Sequence, residues 1–178
     1  MRRGEELRGF GPPFLLSDGP NRAAYRRALA LGLDDGYLLA AWADFLLDQK
    51  RPADVIQALE KWESSDGLLL RLALAEAQLG LAKAVTHTQV LEDRFAAARQ
   101  RNDTTHRAEE ARFLLRLKRD TALALKIAQA NFQVQREPRD ARVLLEVAVA
   151  AGDASAAQAA REWLHSSGFE DAHLRSLA

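Results

Sequence analysis

From about residue 20 onward, apolar side chains recur at alternating three- and four-residue steps, and short polar or glycine-containing turns interrupt them. That period predicts helices throughout. From Pro20 onward, with Asn21 able to cap, Ala24, Tyr25, Ala28, Leu29 and Leu31 mark a first helix that stops before Gly32. Asp34 or Asp35 then caps a helix running to about Asp48, with Leu38, Leu39, Trp42, Phe45 and Leu46 giving it a wide apolar face. Pro52 suits a first helical turn, and Val55, Ile56, Leu59 and Trp62 form the stripe that follows.

The same alternation continues to the end of the chain. Leu69, Leu72, Ala73 and Leu79 point inward from a helix over 68–79, and Ala84, Thr88, Leu91, Phe95 and Ala98 from an unusually long one over 82–100. After a polar break at 101–105, Ala108, Ala111, Phe113, Leu114 and Leu117 predict the next helix, and Ala124, Leu125, Ala128 and Phe132 its partner over 121–135. Pro138 opens a helix over 139–151 with Ala141, Leu144, Leu145, Ala148 and Val149 inward. Gly152 stops it, and Asp153 or Ser155 caps the next, whose stripe is Ala156, Ala157, Ala160, Trp163 and Leu164 before Gly168. Residues 169–178 are expected as a short helix or a fraying tail. No segment alternates apolar and polar positions over strand length, so the fold class is all-α.

Residues 1–19 break the pattern. Gly4, Gly9, Gly11, Pro12, Pro13 and Gly19 predict an extended N-terminal arm. Phe10, Phe14, Leu15 and Leu16 make it too apolar for a plain linker. We expect it to fold back on the exposed first face of the helices or to occupy a neighbour's groove.

Helix, turn and second helix with small inward residues form a phrase that recurs at 49–51, 79–81, 118–120 and 152–153. The intervals from Arg51 to Leu81, Asp120 and Asp153 are 30, 39 and 33 residues. Recurrence at a few tens of residues is the signature of a solenoid, in which each hairpin covers its neighbour's apolar face. The unit 138–168 resembles the tetratricopeptide repeat, with Leu144 and Leu145 at the large and small core positions, Gly152-Asp153 at the turn and Ala157 at the small residue of the second helix. The unit 35–66 is similar, with Trp42 and Ala43 as the large-then-small pair and Trp62 where alanine is usual. Residues 23–33 look like the second helix of a unit whose first helix is missing.

The resemblance covers about 21–168 and implies a right-handed superhelix of about four hairpins preceded by a half-repeat helix, with first helices lining a concave surface. Other helical-hairpin solenoids share this period. The family usually binds peptides or partner domains, which implies a non-catalytic scaffold or adaptor. On the first hairpin, Tyr37, Ala40, Asp44 and Asp48 would face the groove, and on the last, Arg139, Arg142 and Glu146. Arg139 and Arg142 could then hold carboxylates of an extended peptide through charge-assisted hydrogen bonds. The alternative is a structural or oligomerisation module, the C-terminal part of a longer array that assembles through its N-terminal face.

Charge and candidate chemistry change this little. Twenty-five basic and 25 acidic residues cancel, so no overall field gathers nucleic acid. Arg99, Arg101, Arg107, Arg112, Arg116, Lys118 and Arg119 form the densest basic stretch, but acidic residues are interleaved, and Glu109 is spaced to pair with Arg112 or Arg116. Nucleic acid is therefore not an expected partner. His87, His106, His165 and His173 are dispersed and cysteine is absent, which leaves no metal-ligand motif and no thiol chemistry. Ser166 and Ser167 beside His165 lack a nucleophile elbow and read as C-capping residues. Trp42, Trp62 and Trp163 fall on apolar stripes and read as core. Neither enzyme activity nor a cofactor is expected. No run approaches the ~20 apolar residues of a membrane span, since Arg71 interrupts 68–74. The location follows the chain's context: cytoplasmic if the chain is complete, periplasmic if it is a fragment of an exported protein.

Overall fold

A computed structural model describes residues 20–32 and 35–178. The expected arm over 1–19 and the candidate cap Asp34 lie outside the described residues. Ten α-helices make up the described chain: α1 (Pro20–Leu29), α2 (Gly36–Asp48), α3 (Pro52–Leu59), α4 (Asp66–Gln78), α5 (Lys83–Gln100), α6 (Arg107–Phe113), α7 (Thr121–Val134), α8 (Pro138–Ala151), α9 (Gln158–Ser167) and α10 (Ala172–Leu177). Among the described residues there is no strand. No helix among them is long and apolar enough to cross a membrane.

Local signals set most boundaries. The carboxylate of Asp35 accepts from Tyr37 N at 2.8 Å and Leu38 N at 3.3 Å, which starts α2. Pro52 and Pro138 stand in the first turns of α3 and α8. At α8, Glu137 N donates to the Asp140 carboxylate at 2.9 Å within a capping box, and Asn131 of α7 donates to the same carboxylate at 2.8 Å. One buried acid thus caps a helix and ties it to its predecessor. Gly152 (φ +65°) closes α8 in the left-handed region that a side chain disfavours.

Consecutive helices pack as hairpins, α2 with α3, α4 with α5, α6 with α7 and α8 with α9. The even-numbered helices also form a row, α2 against α4, α4 against α6, α6 against α8 and α8 against α10. Helix α4 is covered on nearly every side, and Leu68 through Glu76 are all buried. Its apolar coverage suits that position. Phe95 of α5 meets Phe113 of α6 with ring centroids 5.3 Å apart, which joins the long helix to the next hairpin. Helix α1 lays Tyr25 against Trp42 and Phe45, each at 5.5 Å, and so covers the first apolar face of the row.

Several positions differ from the periodic expectation. Leu31 and Leu79 fall in turns at helix ends, Val149 lies in the last turn of α8, and all three are exposed. Trp62 lies past the end of α3, where it still packs partly buried on the core. The third first helix changes character after Phe113. Residues 114–118 widen into a π-helical turn, which closes with Asp120 N donating to Leu114 O and with Arg119 at φ +60°. A widened turn of this kind accommodates one extra residue without breaking the helix. Helix α9 begins at Gln158, because residues 154–157 first form turns around the Asp153 side chain. The terminal segment is a helix rather than a tail, capped by Asp171, which accepts from Leu174 N at 2.9 Å.

Candidate functional site: a charged seam along the even-numbered helices

Residues three or four apart on a helix share a face. Asp44 and Asp48 do so on α2, Glu109, Arg112 and Arg116 along α6 and its π turn, and Arg139, Arg142 and Glu146 on α8. Arg71 adds the contribution of α4. The row packing of these helices turns four separate polar stripes into one seam.

Asp44 is the first node. It accepts from Arg71 Nη2 at 2.6 Å and from Arg112 Nη1 at 2.5 Å, so one carboxylate of α2 joins α4 and α6. Arg71 also donates from Nε to Ala40 O at 3.1 Å and from Nη1 to Gly67 O at 2.8 Å. Each of its three guanidinium nitrogens thereby has an acceptor. Burial pushes the Asp44 carboxyl up, but Arg112, Arg71 and Arg142 outweigh it and bring it down to about 2.

Glu146 is the second node, with only 1% of its side chain exposed. Arg142 Nε donates to it at 2.7 Å, Arg116 Nη2 donates at 3.0 Å, Arg112 Nε stands 3.8 Å away and His173 Nε2 of α10 3.7 Å away. Burial raises this carboxyl, and the surrounding cations, Arg112 foremost, hold it well below the usual carboxylate range. In turn Glu146 raises His173. Arg142 reaches further and clasps Asp48 with both terminal nitrogens, at 2.8 and 2.6 Å, across 94 residues of sequence. This fork joins the first hairpin to the last.

At the edge of the seam the contacts loosen. Glu109 lies 3.6 Å from Arg139 and 3.8 Å from His106, rather than pairing with Arg112 or Arg116 as its spacing suggests. The reason is that Arg112 turns to Asp44, and Arg116 to Glu146. Arg139 is more than one-third exposed and sits over the Tyr37 ring at 5.9 Å, while Tyr37 itself is 57% exposed.

Of the seven residues singled out by sequence, Ala40 contributes its backbone carbonyl to Arg71, and the other six share one seam but not one condition. Asp44, Asp48, Arg142 and Glu146 are engaged with one another or with neighbouring arginines, whereas Tyr37 and Arg139 stand at the open edge. Arg71, Glu109 and Arg112 belong to the same seam. The helical offset that selects Asp44 and Arg142, applied to α4 and α6, would have found them. Arg99, Arg116 and Lys118 of the basic stretch each face a carboxylate, of Glu110, Glu146 and Glu92 respectively. The space left between Asp44, Arg71, Arg112 and Arg142 is about 10 Å³, room for one water. The seam is filled by its own side chains.

Among the described residues no three His, Asp or Glu side chains are grouped to hold a metal ion. His87, the one buried histidine among the described residues, has its Nδ1 2.8 Å from the buried Glu76 and its Nε2 3.5 Å from Glu63, which joins α4 to α5. The Ser166 and Ser167 hydroxyls donate to Trp163 O and Leu164 O at the end of α9. No protein-family model, no curated protein and no solved structure matches the chain. Function is therefore read from this geometry.

Proposed function

We propose that the chain is a non-catalytic scaffold of the tetratricopeptide type, a right-handed superhelix that binds a protein or peptide partner along its even-numbered helices. The observation that carries this reading is the Tyr37–Arg139 edge. An exposed aromatic ring and a guanidinium stand 5.9 Å apart on a seam whose other charges hold each other in place. Groups already fixed in position lose little entropy when a partner arrives. The contacts of Arg139 with Glu109 and Glu137, at 3.6 and 3.2 Å, are loose enough to be exchanged for a partner's carboxylate. An extended, acidic segment lying across Tyr37 fits that chemistry.

Crosslinking from a photoreactive residue placed beside Tyr37, compared between wild type and an Arg139→Glu, Tyr37→Ala double variant, tests the reading. The double variant should lose the crosslinked species, and a Lys126→Glu control should keep them. Identical crosslinking patterns in wild type and double variant would remove the support for this surface.

A further inference from the structure

A cleft of about 460 Å³ lies between α7 and α9 and shares no lining residue with the gap in the charged seam. Phe132, Leu144 and Ala156, all buried, give it an apolar floor. Phe132 meets Trp163 edge-on with ring centroids 6.5 Å apart, so α7 and α9 touch there. Elsewhere the cleft adjoins the turn over 154–157, which the Asp153 carboxylate holds by accepting from Ser155 N and Ala156 N before α9 begins. The volume is that of a ligand site, for which roughly 300–1,000 Å³ is usual.

The two walls differ in what they leave unused. On α9, Gln158 Nε2 donates to the Glu162 carboxylate at 2.7 Å, so that wall is closed on itself. On α7, the exposed carboxamides of Gln129 and Gln133 have no hydrogen-bond partner among the described residues. Arg136 continues the same wall. Its Nε donates to Phe132 O at 3.3 Å and its guanidinium sits 6.0 Å from the centre of the Phe132 ring, yet no carboxylate among the described residues pairs with it. The cleft therefore offers two carboxamides and one cation on a single side, above an apolar floor.

Spacing says what fits. Gln129 and Gln133 stand about 6 Å apart along the helix axis, at ~1.5 Å per residue. Alternate residues of an extended chain are about 6.6 Å apart and turn their N–H and C=O groups to the same side. Each carboxamide supplies a donor and an acceptor, the complement of such a backbone. Nucleic acid or an anionic membrane would require several cations, and Glu162 faces the single one offered. We propose that this cleft binds an extended segment of a partner protein, its backbone on Gln129 and Gln133, an apolar side chain on the floor and an acidic side chain on Arg136. From Gln129 to Arg136 is about 10 Å along α7, which matches about four residues of extended chain. This site is separate from the Tyr37–Arg139 edge and does not depend on it.

Phage displaying random peptides test the cleft when selected on the full-length protein and counter-selected on an Arg136→Glu, Gln133→Ala variant. Both residues are exposed, and far-ultraviolet circular dichroism verifies that the variant keeps its helices. Enriched sequences should share one acidic residue with apolar residues at alternate positions beside it. Synthesised with both ends blocked, they should bind wild type at least about tenfold more tightly than the variant by fluorescence anisotropy, and lose a similar factor when the acid is replaced by its amide. The side-chain amide NMR signals of Gln129 and Gln133 should shift on binding. Tyr37→Ala, Arg139→Glu should bind the same peptides as wild type does, so failure here and failure of the partner edge are told apart. The proposal is overturned if no sequence survives counter-selection, if the enriched peptides tolerate loss of the acid, or if they leave Gln129 and Gln133 unshifted.

Discussion

Asp44→Asn tests the seam at its first node. Asparagine keeps the shape of aspartate and resembles its protonated form, so the substitution removes the charge and little else. In the folded chain Arg112 and Arg71 bring the Asp44 carboxyl from 3.8 to about 2. At about 1.4 kcal/mol per pKa unit, that drop corresponds to roughly 2.5 kcal/mol of stability carried by the charged form. Its side chain is 13% exposed, so solvent screens the interaction little. Asp44→Ala should cost more, about 3–5 kcal/mol, because it leaves two buried guanidiniums without their common acceptor. The sign follows from the depressed pKa. Folded Asp44 binds its proton less tightly than unfolded Asp44, so the contribution is complete above about pH 4 and fades as pH falls toward 2. Urea unfolding of wild type and Asp44→Asn, followed by circular dichroism at pH 7, 4 and 2.5, should show a gap of about 2.5 kcal/mol that narrows with acid. A gap under about 0.5 kcal/mol at pH 7, the range of an ordinary surface change, would refute the electrostatic account. So would a gap independent of pH.

His173 has the opposite sign. Glu146 raises it, so its contribution to docking α10 is full below about pH 6.5 and fades as pH rises through its native value. NMR titration should place its pKa above 6.5, and His173→Asn should remove that pH dependence from the Leu174 methyl shifts. Gly152→Ala should cost about 1 kcal/mol by thermal unfolding, since φ is +65° and no neighbouring atom lies within 4 Å of an added Cβ. Strain alone acts there. Phe95→Ala should cost about 3–5 kcal/mol, because it empties a 2%-exposed site between α5 and α6.

Helix existence and most helix ends were legible because they depend on neighbours a few residues away. The apolar stripes of α2, α4, α5, α7 and α8, the Asp35 cap, Pro52, Pro138 and Gly152 all act within one or two turns. Where periodicity misplaced a residue, as with Leu79 or Val149, the residue lay at a helix end, where the stripe no longer faces a neighbour. The π turn after Phe113 left no local mark that a 3.6-residue period could register.

The seam divides differently between the two levels. Composition and spacing alone determined that Asp44, Asp48, Arg139, Arg142 and Glu146 fall on helix faces with 3- and 4-residue steps, and that the chain's charges balance. Only the tertiary structure decided that Arg71 and Arg112 meet on Asp44, 27 and 68 residues away, and that Arg142 closes on Asp48 across 94. It also decided that Glu146 is buried, that Tyr37 and Arg139 are left at the edge, and that α10 returns to α8. The physical reason is range. A helix forms from bonds between residues four apart, whereas an ion pair between hairpins depends on which helices stand side by side and how deeply they exclude water.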